Sequence, residues 1–161
     1  MTLRELNVLE PPSRAQAEFE RCCASAKWAH LMAAARPFAD LEAMTAAADR
    51  IWWSLDAGDW LEAFAGHPRI GGRPESAWSR EEQATAATAA GDVRDRLRRA
   101  NEAYERRFGH TFLVCATGKT AEEILSMLEA RWQNAPEIEL RVAAEEQRKI
   151  TNLRLKKLVA S

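Results

Sequence analysis

An all-α fold is predicted for this chain, a single-domain bundle of about seven or eight helices spanning residues 1–161, and three observations predict it. Apolar residues recur at helical spacing along most of the sequence. Capping side chains (Ser13, Asp40 and Thr120) stand ahead of those segments. One run alone, Thr111-Phe112-Leu113-Val114-Cys115, has β-like composition, and it has no obvious strand partner.

The elements follow in order. Leu3–Pro12 reads as a short lead-in, and Ser13 caps a helix through Glu18, Phe19 and Cys22. A second apolar segment holds Trp28, Leu31 and Met32 and stops near Arg36-Pro37-Phe38, because proline disfavours helix at the residue before it. Asp40 caps a helix whose apolar face is Leu41, Met44, Ala48, Ile51, Trp52 and Leu55. Asp56–Gly58 breaks it, and a short helix through Trp60, Leu61 and Phe64 leads into the stretch Ala65–Gly72. Ser79 opens a helix running to about Arg107, with Gly91 as a point of kink or division. Phe108–Lys119 is predicted to be an extended connection through the core. Thr120 and Glu123 form a capping box for the next helix, which carries Ile124, Leu125 and Leu128. Pro136 starts the last helix, with a stripe of Leu140, Ala143, Ile150, Leu153 and Leu158.

Composition excludes several classes. Apolar residues make up 47% and charged residues 29%, as in globular domains. The net charge of −1, with no dominant basic block, argues against nucleic-acid binding driven by phosphate contacts. No stretch approaches the roughly 20 apolar residues of a membrane span. Cys22, Cys23 and Cys115 are an odd count with two neighbours, which fits reduced thiols. The opening Met-Thr-Leu-Arg-Glu-Leu has no apolar signal core, and the closing Leu-Val-Ala-Ser is not a peroxisomal ending. A cytoplasmic location is therefore expected.

The chemistry-bearing candidates begin with His67 in Ala65-Gly66-His67-Pro68-Arg69-Ile70-Gly71-Gly72. Pro68 biases His67 toward an extended backbone, and the glycines allow a tight turn or close approach. A titratable ring on a stiff backbone suits proton transfer. Ser79-x-x-Glu82-Gln83 reads as a capping box, and Glu82 can also accept from an imidazole and set its tautomer. Gln83 offers an amide to a ligand. Ala116-Thr117-Gly118-Lys119-Thr120 matches only the second half of a phosphate-binding loop, because Leu113 stands where the first glycine belongs. His30, His67 and His110 have no metal-ligand spacing, so no metal is expected. Arg154 lies one turn beyond Ile150 and can point inward, where it needs an anion.

Arg36-Pro37-Phe38, His67-Pro68-Arg69-Ile70-Gly71, Ser79-x-x-Glu82-Gln83, Phe112–Lys119 and the tail Ala143–Thr151 with Arg154-Leu155 stand in one order along nearly the whole chain. Together they resemble the 2-oxo-4-hydroxy-4-carboxy-5-ureidoimidazoline (OHCU) decarboxylases of urate catabolism. Ile70 is a conservative variant of that family's usual leucine. The resemblance implies an all-α, usually dimeric enzyme with no metal or organic cofactor, which converts a small-molecule substrate to (S)-allantoin and CO2. It further implies that His67 is the central catalytic residue, paired with Glu82. Arg154 would engage the substrate. Pro68, Ser79 and Gln83 would shape the pocket, and Phe112, Val114 and Ala116 would complete it. A functional link to hydroxyisourate hydrolase, which makes the substrate, is expected too.

Two other readings compete. A non-catalytic helical interaction domain would use the long last helix and the six tryptophans as a docking surface. A related lyase would act on a different ring substrate. The first predicts His67 and Glu82 apart and exposed, and the second differs only in the residues that read ring substituents.

Overall fold

The computed structural model describes residues 1–71, 76–88 and 91–160. Among these, nine α-helices and one 3₁₀ turn form and no strand does; an isolated bridge pairs Thr2 with Ala160. The all-α expectation holds, and the helices beyond the expected number come from two places. Leu3–Asn7 (α1) is a helix, where the sequence suggests only a lead-in. Its five residues are too few to show periodicity, yet Thr2 and Glu5 close a reciprocal capping box around it. The predicted helix from Ser79 to about Arg107 is divided into α6 (Ala77–Glu82), a 3₁₀ turn at Ala86–Thr88 and α7 (Gly91–Phe108). The small residues from Ala84 to Thr88 supply no large apolar side chain to continue α6.

By contact the chain divides into two compact units, Met1–Gly66 with Gln147–Ser161, and His67–Glu146. The first holds α1, α2 (Pro12–Cys22), α3 (Ala26–Ala35), α4 (Leu41–Ser54) and α5 (Ala57–Ala65). Pro11 occupies the N-cap of α2 and Pro12 its first turn, so Ser13 lies inside the helix rather than capping it. Ser25, Asp40 and Asp56 cap α3, α4 and α5 through their side chains. Helix α3 stops at Arg36, whose ψ of 154° is the extended conformation favoured before proline. Phe19 meets Trp28 and Phe38 edge-on, with centroids at 6.1 and 6.4 Å. Trp28 donates through Nε1 to the Ala48 carbonyl, so the largest core side chain keeps its one polar atom satisfied.

The second unit holds α6, α7, α8 (Ala121–Trp132) and the first turns of α9 (Pro136–Leu158). Thr120 and Glu123 form the expected capping box on α8. Leu97 and Tyr104 of α7 and Ile124, Leu125 and Leu128 of α8 share one apolar cluster with Phe112, Val114 and Ala116. On α9 the buried face differs from the predicted stripe. Glu139 is fully buried and Leu140 only half-buried, and Arg154 is buried while Leu153 is half-buried.

Candidate active site

His67 opens the loop that follows α5. Gly66 ends that helix by donating its N–H to the carbonyls of Ala63 and Phe64. A Cβ there would lie 2.6 Å from the Ala24 Cβ, so close approach demands glycine. His67 and Pro68 are half-buried, and Gly71 has φ +83°, the left-handed turn anticipated for this stretch. Gly72, its predicted companion, lies outside the described residues.

Helix α7 grips this loop. Leu97, Asn101 and Glu105 are four residues apart and lie on one face. Asn101 Nδ2 donates to the carbonyls of Leu97 (3.0 Å) and Ile70 (3.4 Å). Glu105 takes Arg69 in a two-pronged ion pair, Nε to Oε1 at 2.8 Å and Nη2 to Oε2 at 2.5 Å. The loop carrying His67 is thus fastened just downstream of the histidine.

Helix α6 supplies the next residues. Its N-cap is Ser76, whose Oγ accepts from Ser79 N at 3.0 Å. Ser79 is therefore the third helical residue and buried, not the cap, and the expected Ser79–Glu82 capping box does not form. Ser76 also satisfies the Ser79 hydroxyl, with 2.9 Å between the two oxygens. Glu82, half-buried, is the last helical residue, and Gln83 is the buried C-cap. Gln83 Oε1 accepts from the Gly71 N–H at 3.2 Å, tying the His67 loop to the end of α6. Gln83, Ile70 and Gly71 line a cavity of about 630 Å³, with Arg80, Arg94 and Arg98 among its other walls.

The extended connection predicted over Phe108–Lys119 begins only after Phe108, the last residue of α7; its residues 111–116 carry neither helix nor strand, 112–116 are buried, and side chains replace the missing strand partner. Arg131 Nη1 donates to the Leu113 carbonyl at 2.7 Å. Cys115 N donates to Glu146 Oε1 at 3.1 Å, and Lys119 Nζ donates to the Cys115 carbonyl at 2.6 Å. Arg131 is in turn fixed by Glu139, through Nε at 2.8 Å and Nη2 at 2.6 Å. Tyr104 and Asn134 complete the Glu139 carboxylate, at 2.6 and 3.0 Å. Burial and the hydrogen bond to Glu139 push the Tyr104 phenol far above its ordinary range. Burial also raises the Cys115 thiol; Lys119 opposes the rise, and the carboxylates of Glu146 and Glu82 add to it.

The structure therefore joins part of the predicted set within the second unit. Gln83 and the His67 loop share a hydrogen bond, and Phe112, Val114 and Ala116 share a cluster with Ile70, while Glu82 is half-buried one residue before Gln83. Arg154 belongs to the first unit, where it is buried and lies 3.5 Å from the Arg21 carbonyl through Nη1. Its charge lowers the Cys22 and Cys23 thiols, but burial outweighs it and pushes both up to about 12. Among the described residues no group of three His, Cys, Asp or Glu side chains is placed to hold a metal ion.

Sequence reasoning missed Asn101, Tyr104, Arg131 and Glu139. A signal for two of them exists. Arg131 follows Ile124 and Leu128 at helical spacing, and Glu139 and Glu146 flank Ala143 in the same way. A charge on an apolar stripe marks a buried ion that needs a partner.

The profile of the OHCU decarboxylase family matches residues 10–156. The chain belongs to that family. Relatives and a solved structure agree. An OHCU decarboxylase of Amia calva is 35% identical over 149 residues, covering 87% of this chain and 82% of its own. The uric acid degradation bifunctional protein TTL of Arabidopsis thaliana is 39% identical over 150 residues, 88% of this chain. This chain spans 46% of that longer relative, about half its length. A crystal structure of OHCU decarboxylase in the presence of (S)-allantoin superposes with a TM-score of 0.82 at 38% identity, covering 89% of this chain and 98% of that one.

Proposed function

We propose that this OHCU decarboxylase family member removes CO2 from 2-oxo-4-hydroxy-4-carboxy-5-ureidoimidazoline and releases (S)-allantoin, with His67 as general acid and Glu82 as its partner. The family match runs through both units, which supports reading residues 1–161 as one functional domain. The observation that carries the site is the Gly71–Gln83 hydrogen bond, which fastens the His67 loop to the α6 terminus where Glu82 resides.

The chemistry fits these residue types. The carbon that loses CO2 stands beside a C=N group of the substrate ring. As the C–C bond breaks, its electron pair delocalises into that imine, so the substrate provides its own electron sink and no cofactor is required of the protein. The enzyme must then orient the carboxylate, support developing charge and deliver a proton to one face of the ring. An imidazole whose tautomer is set by Glu82 suits the last task. Arg154 engages the substrate as a cation. Pro68, Ser79 and Gln83 shape the pocket, and Phe112, Val114 and Ala116 line it. A homodimer in the cytoplasm, functionally linked to hydroxyisourate hydrolase, completes the reading; a relative named as bifunctional supports the link.

The test generates the labile substrate in situ from urate with urate oxidase and hydroxyisourate hydrolase, then follows circular dichroism. The expected result is rapid growth of the (S)-allantoin signal, reduced about 10²- to 10⁴-fold in His67→Ala. A folded protein that leaves the spontaneous decay unaccelerated would point to a lyase of different substrate. His67→Asn with wild-type turnover and pure (S)-product would remove His67 from the proton transfer.

A further inference from the structure

We infer that Glu146 and Lys119 are positioning residues for the decarboxylation, acting through the backbone of Cys115, which they hold from both sides. The inference rests on the function proposed above.

The connection 111–116 crosses the interior of the second unit without a strand partner. Nothing in its own sequence prescribes where each peptide sits, since neither a ladder nor a helix does so. At Cys115 two ions take over. Glu146, 4% exposed, accepts from the Cys115 N–H, and the half-buried Lys119 donates to the Cys115 carbonyl. Hydrogen bonds to ionised groups are shorter and stronger than neutral ones. A carboxylate is also expensive to bury, and a neutral amide at position 146 would accept the same bond with less desolvation. An acceptor on the N–H of the residue and a donor on its carbonyl hold its backbone more tightly than packing alone.

The held residue is well placed to matter. Its neighbours Val114 and Ala116 are the proposed substrate contacts. Both of those neighbours are buried beside the Cys115 backbone, in the same apolar cluster as Ile70 of the His67 loop. A displacement of the Cys115 peptide moves the contacts on either side of it, and misplacement by about 1 Å is enough to cost a reaction roughly a hundredfold. Arg131 fixes the Leu113 carbonyl two residues earlier, which leaves the Glu146–Lys119 pair to set the remaining half of the connection.

The experiment compares steady-state kinetics of the full chain, with substrate generated enzymatically, for wild type, Glu146→Ala, Glu146→Gln and Lys119→Met. Far-UV circular dichroism and a melt of each variant accompany the rates. Glu146→Ala is expected to lower kcat about 10- to 100-fold with KM changed less than about threefold. Glu146→Gln, which keeps the acceptor, is expected to recover to within about threefold of wild type. An unchanged kcat in Glu146→Ala overturns the inference, as does Glu146→Gln as slow as alanine. A rate loss no greater than the unfolded fraction overturns it too, because that is a structural role only. Should Glu146→Ala not fold, Lys119→Met decides, a lowered kcat at unchanged KM supporting the inference and a wild-type kcat overturning it. A wild-type protein that fails to accelerate the reaction overturns the proposed function and this inference together. An active wild type with an equally active Glu146→Ala overturns the inference alone.

Discussion

The first unit and the connection 111–116 of the second satisfy their buried backbones in opposite ways. In the first unit α2 to α5 carry their own hydrogen bonds, and short polar side chains cap three of the four. In the connection, Arg131, Glu146 and Lys119 make the bonds that a strand partner would otherwise make. Self-sufficient helices need only apolar contact to assemble. A segment that borrows partners acquires a defined irregular path, and with it a run of backbone that can face a ligand. That freedom comes with buried ions that the rest of the unit must keep paired.

The largest expected effect tests this dependence directly. Arg131→Ala would leave the Glu139 carboxylate buried with its cation gone and the Leu113 carbonyl without its donor. Removing one partner of a buried pair costs about 3–5 kcal/mol. Its counterpart in the first unit is Arg36, which donates to the carbonyls of Ala33, Leu6 and Leu9 but is only half-buried and meets no buried carboxylate there. Arg36→Ala should cost about 1–2 kcal/mol, because the freed carbonyls are closer to water. Urea denaturation measures both. Equal losses would mean that the connection does not depend on its ions.

What the sequence makes legible follows the same division. The helices from α3 to α5, the caps of α4 at Asp40 and of α8 at Thr120, and the stop before Pro37 are local matters of periodicity and side-chain chemistry, and each is visible in a few residues. That 111–116 belongs to an extended connection through the core is legible too, since its β-like run has no partner. The donors and acceptors that replace the partner are not, because Arg131 and Glu146 are 18 and 31 residues away from the atoms they serve. The candidate site shows the same split. His67, Glu82 and Gln83 were visible as residue types in a resembling order, whereas the hold of Asn101 and Glu105 on the loop comes from a separate helix. The sequence offers Ser79 as a cap, but Ser76, three residues earlier, supplies the same hydroxyl at the true helix start.

A second, smaller effect belongs to the first unit. Cys22 and Cys23 are held up to about 12 by burial, against an ordinary thiol value of about 9. The folded state therefore keeps protons that the unfolded chain has lost above about pH 9. Stability linked to these thiols is fully present below that pH and falls as the pH rises toward about 12. Unfolding free energies measured across this range should slope downward for the wild type and more gently for C22A/C23A. An unchanged slope would assign the alkaline loss to the second unit, where Tyr104 and Cys115 are raised in the same sense.

The smallest expected effect is one on which the two units should not differ. Asp40 caps α4 in the first unit, and Thr120 caps α8 in the second; each side chain accepts from the N–H three residues on. Both residues are surface caps whose benefit is one orphan donor satisfied, so Asp40→Ala and Thr120→Ala should each cost about 1 kcal/mol. Thermal melts at neutral pH can resolve that. Thr120 immediately follows Lys119, the cation on the Cys115 carbonyl. A Thr120→Ala loss well above that of Asp40→Ala would show that the α8 cap also holds Lys119 in place. Equal losses would confine the dependence on distant partners to the connection itself and leave helix ends in both units governed by the same local chemistry.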